Sequence, residues 1–221
     1  MNEKALEEWL IAKEMHYRGD DWKPQSVQRV VTSPADPRRE SGFPNHGMTG
    51  GDRMQQDGMG FAKTYARYLQ KMIYKHLTIA EVGILQGTGL ALWCDLPNVR
   101  RVCGFDVDIR HFMSYQYDLT QRGAFAKKYP DIYRFDQYII NYGVLSNALK
   151  PGEVDIYIDD ATHDIRATIN SLNAFMPFLR DGALVFIEDI KDFAPILQSS
   201  FSSIRLLESD NEYLTVGRVA L

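Results

Sequence analysis

Two short acidic segments stand out for the chemistry their side chains could do together. Residues 159–164 read Asp-Asp-Ala-Thr-His-Asp, and residues 187–190 read Ile-Glu-Asp-Ile. Each ends an apolar, β-rich run of the kind that forms a buried strand. On neighbouring parallel strands, Asp160, Glu188 and Asp189 come to one sheet edge. Three carboxylates so close raise one another's pKa unless a cation lies between them. An all-oxygen set of that size suits Mg²⁺, with positions left for water or a substrate hydroxyl. Such an ion would acidify and orient that hydroxyl. His163, three residues beyond Asp160, has an ordinary pKa near neutrality and suits the general base. Each residue also has a plainer reading. His163 could be a surface or capping residue, Asp159 and Asp160 could cap the helix that begins near Asp164, and Glu188-Asp189 could be a solvated strand end. Their coincidence at strand C-termini favours the joint reading.

A second constellation lies upstream. Residues 81–89 read Glu-Val-Gly-Ile-Leu-Gln-Gly-Thr-Gly. Gly83 and Gly87 let backbone pass close to a ligand at a strand tip. Asp106, which ends the next apolar run at Gly104-Phe105-Asp106, could accept hydrogen bonds from both ribose hydroxyls of an adenosine. Alone, the glycines need only make a tight turn; joined to Asp106 they point to adenosine. The spacing is Gly-x-x-x-Gly-x-Gly, not the Gly-x-Gly-x-x-Gly that seats a dinucleotide pyrophosphate on a helix N-terminus. Glu81 would repel a pyrophosphate, yet could help hold an ammonium- or sulfonium-bearing ligand. S-adenosylmethionine is favoured over NAD.

To position these groups, residues 78–85, 99–106, 133–140, 154–159 and 183–189 read as short strands. Helical segments at 89–96, around 112–128, at 165–179 and at 193–199 alternate with them. Residues 204–208 and 213–219 read as a closing antiparallel pair around Ser209-Asp210-Asn211. The expected fold class is α/β, a doubly wound, mostly parallel sheet with ligands at the C-terminal strand ends. Upstream, residues 3–16 carry Leu6, Trp9, Leu10 and Met15 at helical spacing. Residues 59–76 repeat Phe61, Tyr65, Tyr68, Leu69, Met72 and Ile73 in the same way. Between them, residues 18–57 hold Pro24, Pro34, Pro37 and Pro44 and end in Asn45-His46-Gly47-Met48-Thr49-Gly50-Gly51-Asp52. Such a stretch is either poorly ordered or a cover over a site. The expected organisation is an N-terminal helix and lid-like segment over 1–57 and a catalytic domain over 58–221.

The 221 residues are 45% hydrophobic and 24% charged, enough for a sizeable core. The net charge of −4 leaves no basic footprint for nucleic acid. No apolar run is long enough to span a bilayer, and the polar, acidic first residues do not read as a signal peptide. Cys94 and Cys103, the two cysteines, have no metal-ligand spacing and are expected as reduced, packed thiols. A cytoplasmic location is expected, without a nucleic-acid or membrane partner. The N-terminal helix offers a surface for pairing into a homo-oligomer.

The two constellations together carry a resemblance. Glu81, Gly83 and Gly87 stand where class I S-adenosylmethionine-dependent methyltransferases carry their first motif, and Gly104-Phe105-Asp106 resembles their ribose-binding strand end. Over residues 57–221 this implies a seven-stranded Rossmann-like sheet closed by an antiparallel C-terminal hairpin. It places Glu81, Gly83, Gly87, Thr88, Asp106 and Asp159 on the donor. Gly89 departs from the pattern, since many relatives have serine there to meet the donor's carboxylate; Thr88 or a backbone amide would have to serve. Asp160-x-x-His163 with Glu188-Asp189 is similar to the metal-dependent sugar O-methyltransferases of the macrocin and mycinamicin type and to the cephalosporin hydroxylase family. Catechol and caffeoyl-CoA methyltransferases are similar, with lysine at the position of His163 and Asp-Asn for Glu188-Asp189. The resemblance makes Asp160, Glu188 and Asp189 ligands of Mg²⁺ and His163 the base. The acceptor is then a hydroxyl of a small molecule or glycoside. Rival readings are a metal-independent methyltransferase, a nucleotide-dependent oxidoreductase or hydroxylase, and a non-catalytic module that keeps only the fold.

Overall fold

The computed structural model describes residues 1–19, 33–38 and 50–221, and places the side chains of all of these except residues 210 and 211. Pro24, Pro44 and residues 45–49, part of the lid-like segment expected from the sequence, lie outside the described residues.

Seven strands form one sheet in the order β3-β2-β1-β4-β5-β7-β6. They are β1 (Leu77–Val82), β2 (Val99–Asp106), β3 (Asp131–Arg134), β4 (Val154–Asp159), β5 (Leu179–Glu188), β6 (Ile204–Asn211) and β7 (Leu214–Val219). The first five run parallel, and β7 pairs antiparallel with both β5 and β6. β1 and β4 are buried along their whole length, as expected of parallel strands covered on both faces. Helices α1 (Glu3–Arg18), α2 (Ala62–Leu69), α3 (Thr88–Cys94), α4 (Arg110–Gln121), α5 (Tyr142–Ala148), α6 (Ile165–Phe175) and α7 (Ala194–Ser200) supply that cover.

Strand residues alternate between two cores, because successive side chains point to opposite faces. Ile79, Ile156, Ile158, Leu184 and Phe186 join Leu6 and Leu10 of α1, Tyr65 and Leu69 of α2 and Trp93 of α3. Ala80, Val82, Tyr157, Val185 and Ile187 join Leu145 of α5, Leu172 and Phe175 of α6 and Leu197 of α7. α1 begins on Asn2, whose side chain accepts from Ala5 N at 2.9 Å. It is part of the first core rather than an appendage: Leu6 and Leu10 are fully buried. Residues 52–61 are tied across position 57 by backbone hydrogen bonds from Gly58 and Gly60 to Gln55 O, Met59 to Asp52 O and Phe61 to Arg53 O.

Some elements differ from the sequence expectation. β3 stops at Arg134 and not near 140, because the Asp136 carboxylate accepts from the amides of Tyr138 and Ile139 and turns the chain. α5 follows, unread in the sequence, opened by Asn141 whose side chain accepts from the amides of Gly143 and Val144. α2 ends at Leu69, well short of residue 76. β5 begins early, at Leu179, and carries Gly182 at φ +81° next to a register shift against β4. Arg180-Asp181-Gly182, just beyond the helical segment expected over 165–179, therefore lies within the strand as an irregularity. Among the described residues no helix is long and apolar enough to cross a membrane.

Candidate active site

The sheet reverses its winding between β1 and β4, and a parallel sheet opens a crevice beyond its carboxyl ends at such a point. A cavity of about 350 Å³ lies there. Its lining includes, in strand order, Asp136 after β3, Asp106 on β2, Gly83–Gly89 after β1, Asp160 after β4, Glu188 on β5 and Asp189 just beyond it. At a strand spacing of about 4.8 Å this row is roughly 19 Å long.

Gly83 sits where two strand tips meet. Its φ is +88°, and a Cβ there would lie 2.1 Å from Asp160 O and 2.5 Å from Ala161 Cα. Only glycine permits that approach. The amide of Asp160 donates to Val82 O at 2.8 Å, which holds the β4 tip beside the glycine turn. Gly87 caps α3, and Thr88, its first residue, lines the cavity. Asp106 accepts from the amides of Ile84 and Leu85 at 2.9 and 3.1 Å through Oδ2, and from Asp108 N at 2.9 Å through Oδ1. Burial raises its pKa, and these amides oppose the rise. Asp106 thus braces the glycine turn while facing the cavity.

Strand parity decides the acids. Glu81, Asp160 and Glu188 fall on the face of Ile79, Ile158 and Phe186, and a guanidinium, that of Arg53, joins them. Arg53 Nη1 meets Glu81 at 2.7 Å, Nη2 meets Asp160 at 2.5 Å and Nε meets Glu188 at 2.7 Å. Its carbon stands 5.6 Å from the Trp93 ring centroid, within cation–π range. The other oxygen of Glu188 accepts from Tyr65 OH, and Tyr65 stacks on Phe186 at 4.3 Å between centroids. Burial lowers the Arg53 pKa, but the charges of Glu188, Glu81 and Asp160 outweigh it and keep the group fully charged. Burial pushes Glu81 and Glu188 up despite Arg53. For Asp160, Arg53 and His163 overcome burial and hold the carboxyl below its ordinary range. No spacing in the sequence marks Arg53, since its partners come from three separate strands.

Asp159, placed on the donor by the resemblance, lies on the opposite face and does not line the cavity. Its carboxylate accepts from Gln137 Nε2 at 2.8 and 2.9 Å and from Tyr157 OH at 2.9 Å. Burial, partly offset by those donors, raises its pKa to about 6. Gln137, unread in the sequence, in turn accepts from Thr162 and so positions the loop that carries His163.

At the β4–β5 end, ligand atoms of Asp160, His163 and Asp189 lie within 4.8 Å of one another. His163 Nε2 is 3.3 Å from Asp160 Oδ1 and 3.8 Å from Asp189 Oδ2. Both His163 and Asp189 hold left-handed backbone, at φ +52° and +58°, strain that tends to collect at functional positions. Burial and the Asp160 charge raise the pKa of Asp189 to about 6. Burial lowers that of His163, but the Asp160 hydrogen bond and surrounding carboxylates outweigh it and raise the net value. Asp189 Oδ1 is buried without a hydrogen-bond partner, so this trio fits a cation. Glu188, expected as a third acidic ligand, is instead engaged on both oxygens by Arg53 and Tyr65.

No protein-family model matches the sequence, and no curated protein matches it. Among solved structures it is similar to MycE methyltransferase from the mycinamycin biosynthetic pathway, in complex with Mg and SAH. That match has 18% identity and a TM-score of 0.55, over 73% of this chain and 50% of that one. The chain therefore spans about half the length of MycE. It is also similar to ribosomal protein L11 methylase from Lactobacillus delbrueckii subsp. bulgaricus (12% identity, 69% of this chain, 75% of that one, TM-score 0.52). The CurJ carbon methyltransferase matches at 10% identity, 76% and 56% coverage and a TM-score of 0.52. With this strand order, the reversed β7 and the crevice above β1 and β4, the chain has the fold of the class I S-adenosylmethionine-dependent methyltransferases.

Proposed function

We propose that the protein transfers a methyl group from S-adenosylmethionine to a hydroxyl of a small molecule or sugar, with a divalent cation, Mg²⁺, at the acceptor. One observation carries the reading. A single cavity joins an adenosine-suited end, at Asp106 and the glycine turn, to a cation-suited end at Asp160, His163 and Asp189. Glu81, Gly83, Gly87 and Thr88 wall the middle of that row. The MycE complexes contain Mg and SAH on the same fold, which supports pairing a donor with an ion here.

Asp160 and Asp189, with Glu188 as third ligand once its contact with Arg53 opens, would hold the ion, whose chemistry is to acidify and orient the acceptor hydroxyl. His163 would then take the hydroxyl proton. The donor would supply a sulfonium methyl group: as the deprotonated oxygen forms the O–C bond, the S–C bond would break and the sulfur would leave as a neutral thioether. The cavity walls would keep donor and acceptor side by side, which is where much of such a rate comes from. Ser33 and Asp36, from the segment ahead of α2, border the same cavity.

The test is methylation of a panel of sugars, glycosides and phenols, read as a gain of one methyl by mass. Activity should vanish in EDTA and return with Mg²⁺. His163→Ala should cut turnover by about 10²–10⁴-fold while donor affinity stays nearly constant by calorimetry. Full activity in chelator overturns the ion; failure to bind the donor overturns the whole reading. A metal-independent methyltransferase is the second reading. Its support is Arg53, which already supplies a positive charge to Asp160 and Glu188; the chelator arm separates the two.

A further inference from the structure

We infer that Arg53 is a resident counter-ion in exchange with the divalent cation: the guanidinium holds Asp160 and Glu188 until an ion takes them. The inference rests on the cation reading above and concerns how that site is loaded.

Glu188 makes the case. It is 1% exposed, and its oxygens are divided between Tyr65 OH and Arg53 Nε. In that arrangement it has no oxygen to give an ion. Asp160 is likewise shared, one oxygen at Arg53 Nη2 and the other facing His163. Four carboxylates, Glu81, Asp160, Glu188 and Asp189, thus crowd one guanidinium and one imidazole. Buried carboxylates need either a compensating charge or a proton. A guanidinium that bridges three of them meets the need while the chain is free of ligand. A divalent ion brings twice the charge, and it can take Asp160 and Glu188 only if the Nη2 and Nε contacts open. Glu81 remains for Arg53 afterwards: it lies on β1, away from His163 and Asp189, at 2.7 Å from Nη1.

The loop that carries Arg53 has its own anchors and need not unfold for such a shift. Met54 N donates to Glu14 on α1 at 2.8 Å, and Phe61 N donates to Arg53 O at 2.9 Å. The guanidinium lies over Trp93, so its movement has an optical reporter.

The test titrates Mn²⁺ alone into the full chain and reads binding by electron paramagnetic resonance and by tryptophan fluorescence. Arg53→Lys keeps the charge but cannot bridge three carboxylates. It should bind Mn²⁺ about tenfold tighter than the unchanged chain, a factor typical of losing a charge-assisted contact. Arg53→Gln should bind tighter still. If it folds only when Mn²⁺ is present, that too supports the exchange. Mn²⁺ should change the fluorescence of the unchanged chain, and Trp93→Phe should abolish the change. Equal Mn²⁺ affinity in the unchanged chain and Arg53→Lys overturns the exchange, since a purely long-range charge effect would leave the lysine variant unaltered. No Mn²⁺ binding by any variant, with donor binding intact, overturns the exchange and the cation but leaves methyl transfer standing. Donor binding is measured separately, so loss of the donor with the tenfold difference preserved overturns only the methyltransferase reading.

Discussion

Arg53 brings one charge into a space walled by Glu81, Asp160 and Glu188, and its effect reaches the next turn of chain. Gly89 faces the Glu81–Arg53 pair: a Cβ there would stand 2.5 Å from Glu81 Oε1 and 2.7 Å from Arg53 Nη1. This accounts for glycine where many proteins of the resembled family carry serine. The space a serine hydroxyl would use is filled by the ion pair. Gly89→Ser should therefore destabilise the protein by about 1–3 kcal/mol, the usual cost of overpacking, as measured by urea unfolding. An unchanged midpoint would show that the pair yields easily. The same parity explains Asp159 and Asp160. Neighbours in sequence, they serve opposite faces, one bracing Gln137 and the other meeting Arg53.

Residues 33–38 join the site from outside the sheet. Arg38 donates to Asp36 through Nε and Nη2 at 2.9 and 2.8 Å, and through Nη1 to Thr162 O at 2.8 Å, one residue before His163. The segment is thus tied to the β4 loop through one ionised pair. Burial raises the Asp36 pKa, but the Arg38 hydrogen bonds outweigh it and hold the carboxyl below its ordinary value. A carboxyl whose folded pKa is depressed contributes stability that is full above the unfolded pKa, about 3.9, and lost as pH falls through the folded one. Amide exchange in 33–38 should accordingly speed up, relative to the rest of the chain, as pH drops below about 4. Asp36→Asn should produce the same loosening at neutral pH. Exchange that follows the global rate in both cases would remove the strap from the site. α1 has a comparable role on the other side, since Glu14 and Arg18 hold Met54, Gly51 and Gln55, the loop that presents Arg53.

Taken whole, the molecule holds its candidate ligand groups at the ends of five strands, β1 to β5, and on segments ahead of α2, which come together only when the sheet forms. A donor that touches several tips at once should stabilise all of them together. At a donor concentration 100 times Kd the gain is about 2.7 kcal/mol, or roughly 5–10 °C in Tm for a chain of this size. Thermal unfolding with and without S-adenosylmethionine measures it, and no shift at saturating donor would contradict the donor assignment.

Much of this was legible in the residues alone. β2 and β4 have the bounds expected from the sequence, because each is a short stretch rich in apolar residues that begins on a valine and ends on an aspartate, and that signature is local. The doubly wound order, the glycine turn and the acids at strand tips were equally visible. β3 and α5 were not, because side-chain hydrogen bonds from Asp136 and Asn141, and not hydrophobic periodicity, end one and begin the other. What the sequence by itself determined is which residue types arrive at the carboxyl edge of the sheet. Pleat parity and packing decided what they do there. They sent Asp159 to the far face and gathered Glu81, Asp160 and Glu188 on the near one. They also drew Arg53 from outside the sheet onto those three acids, because buried carboxylates must be compensated by whatever cation the fold can reach.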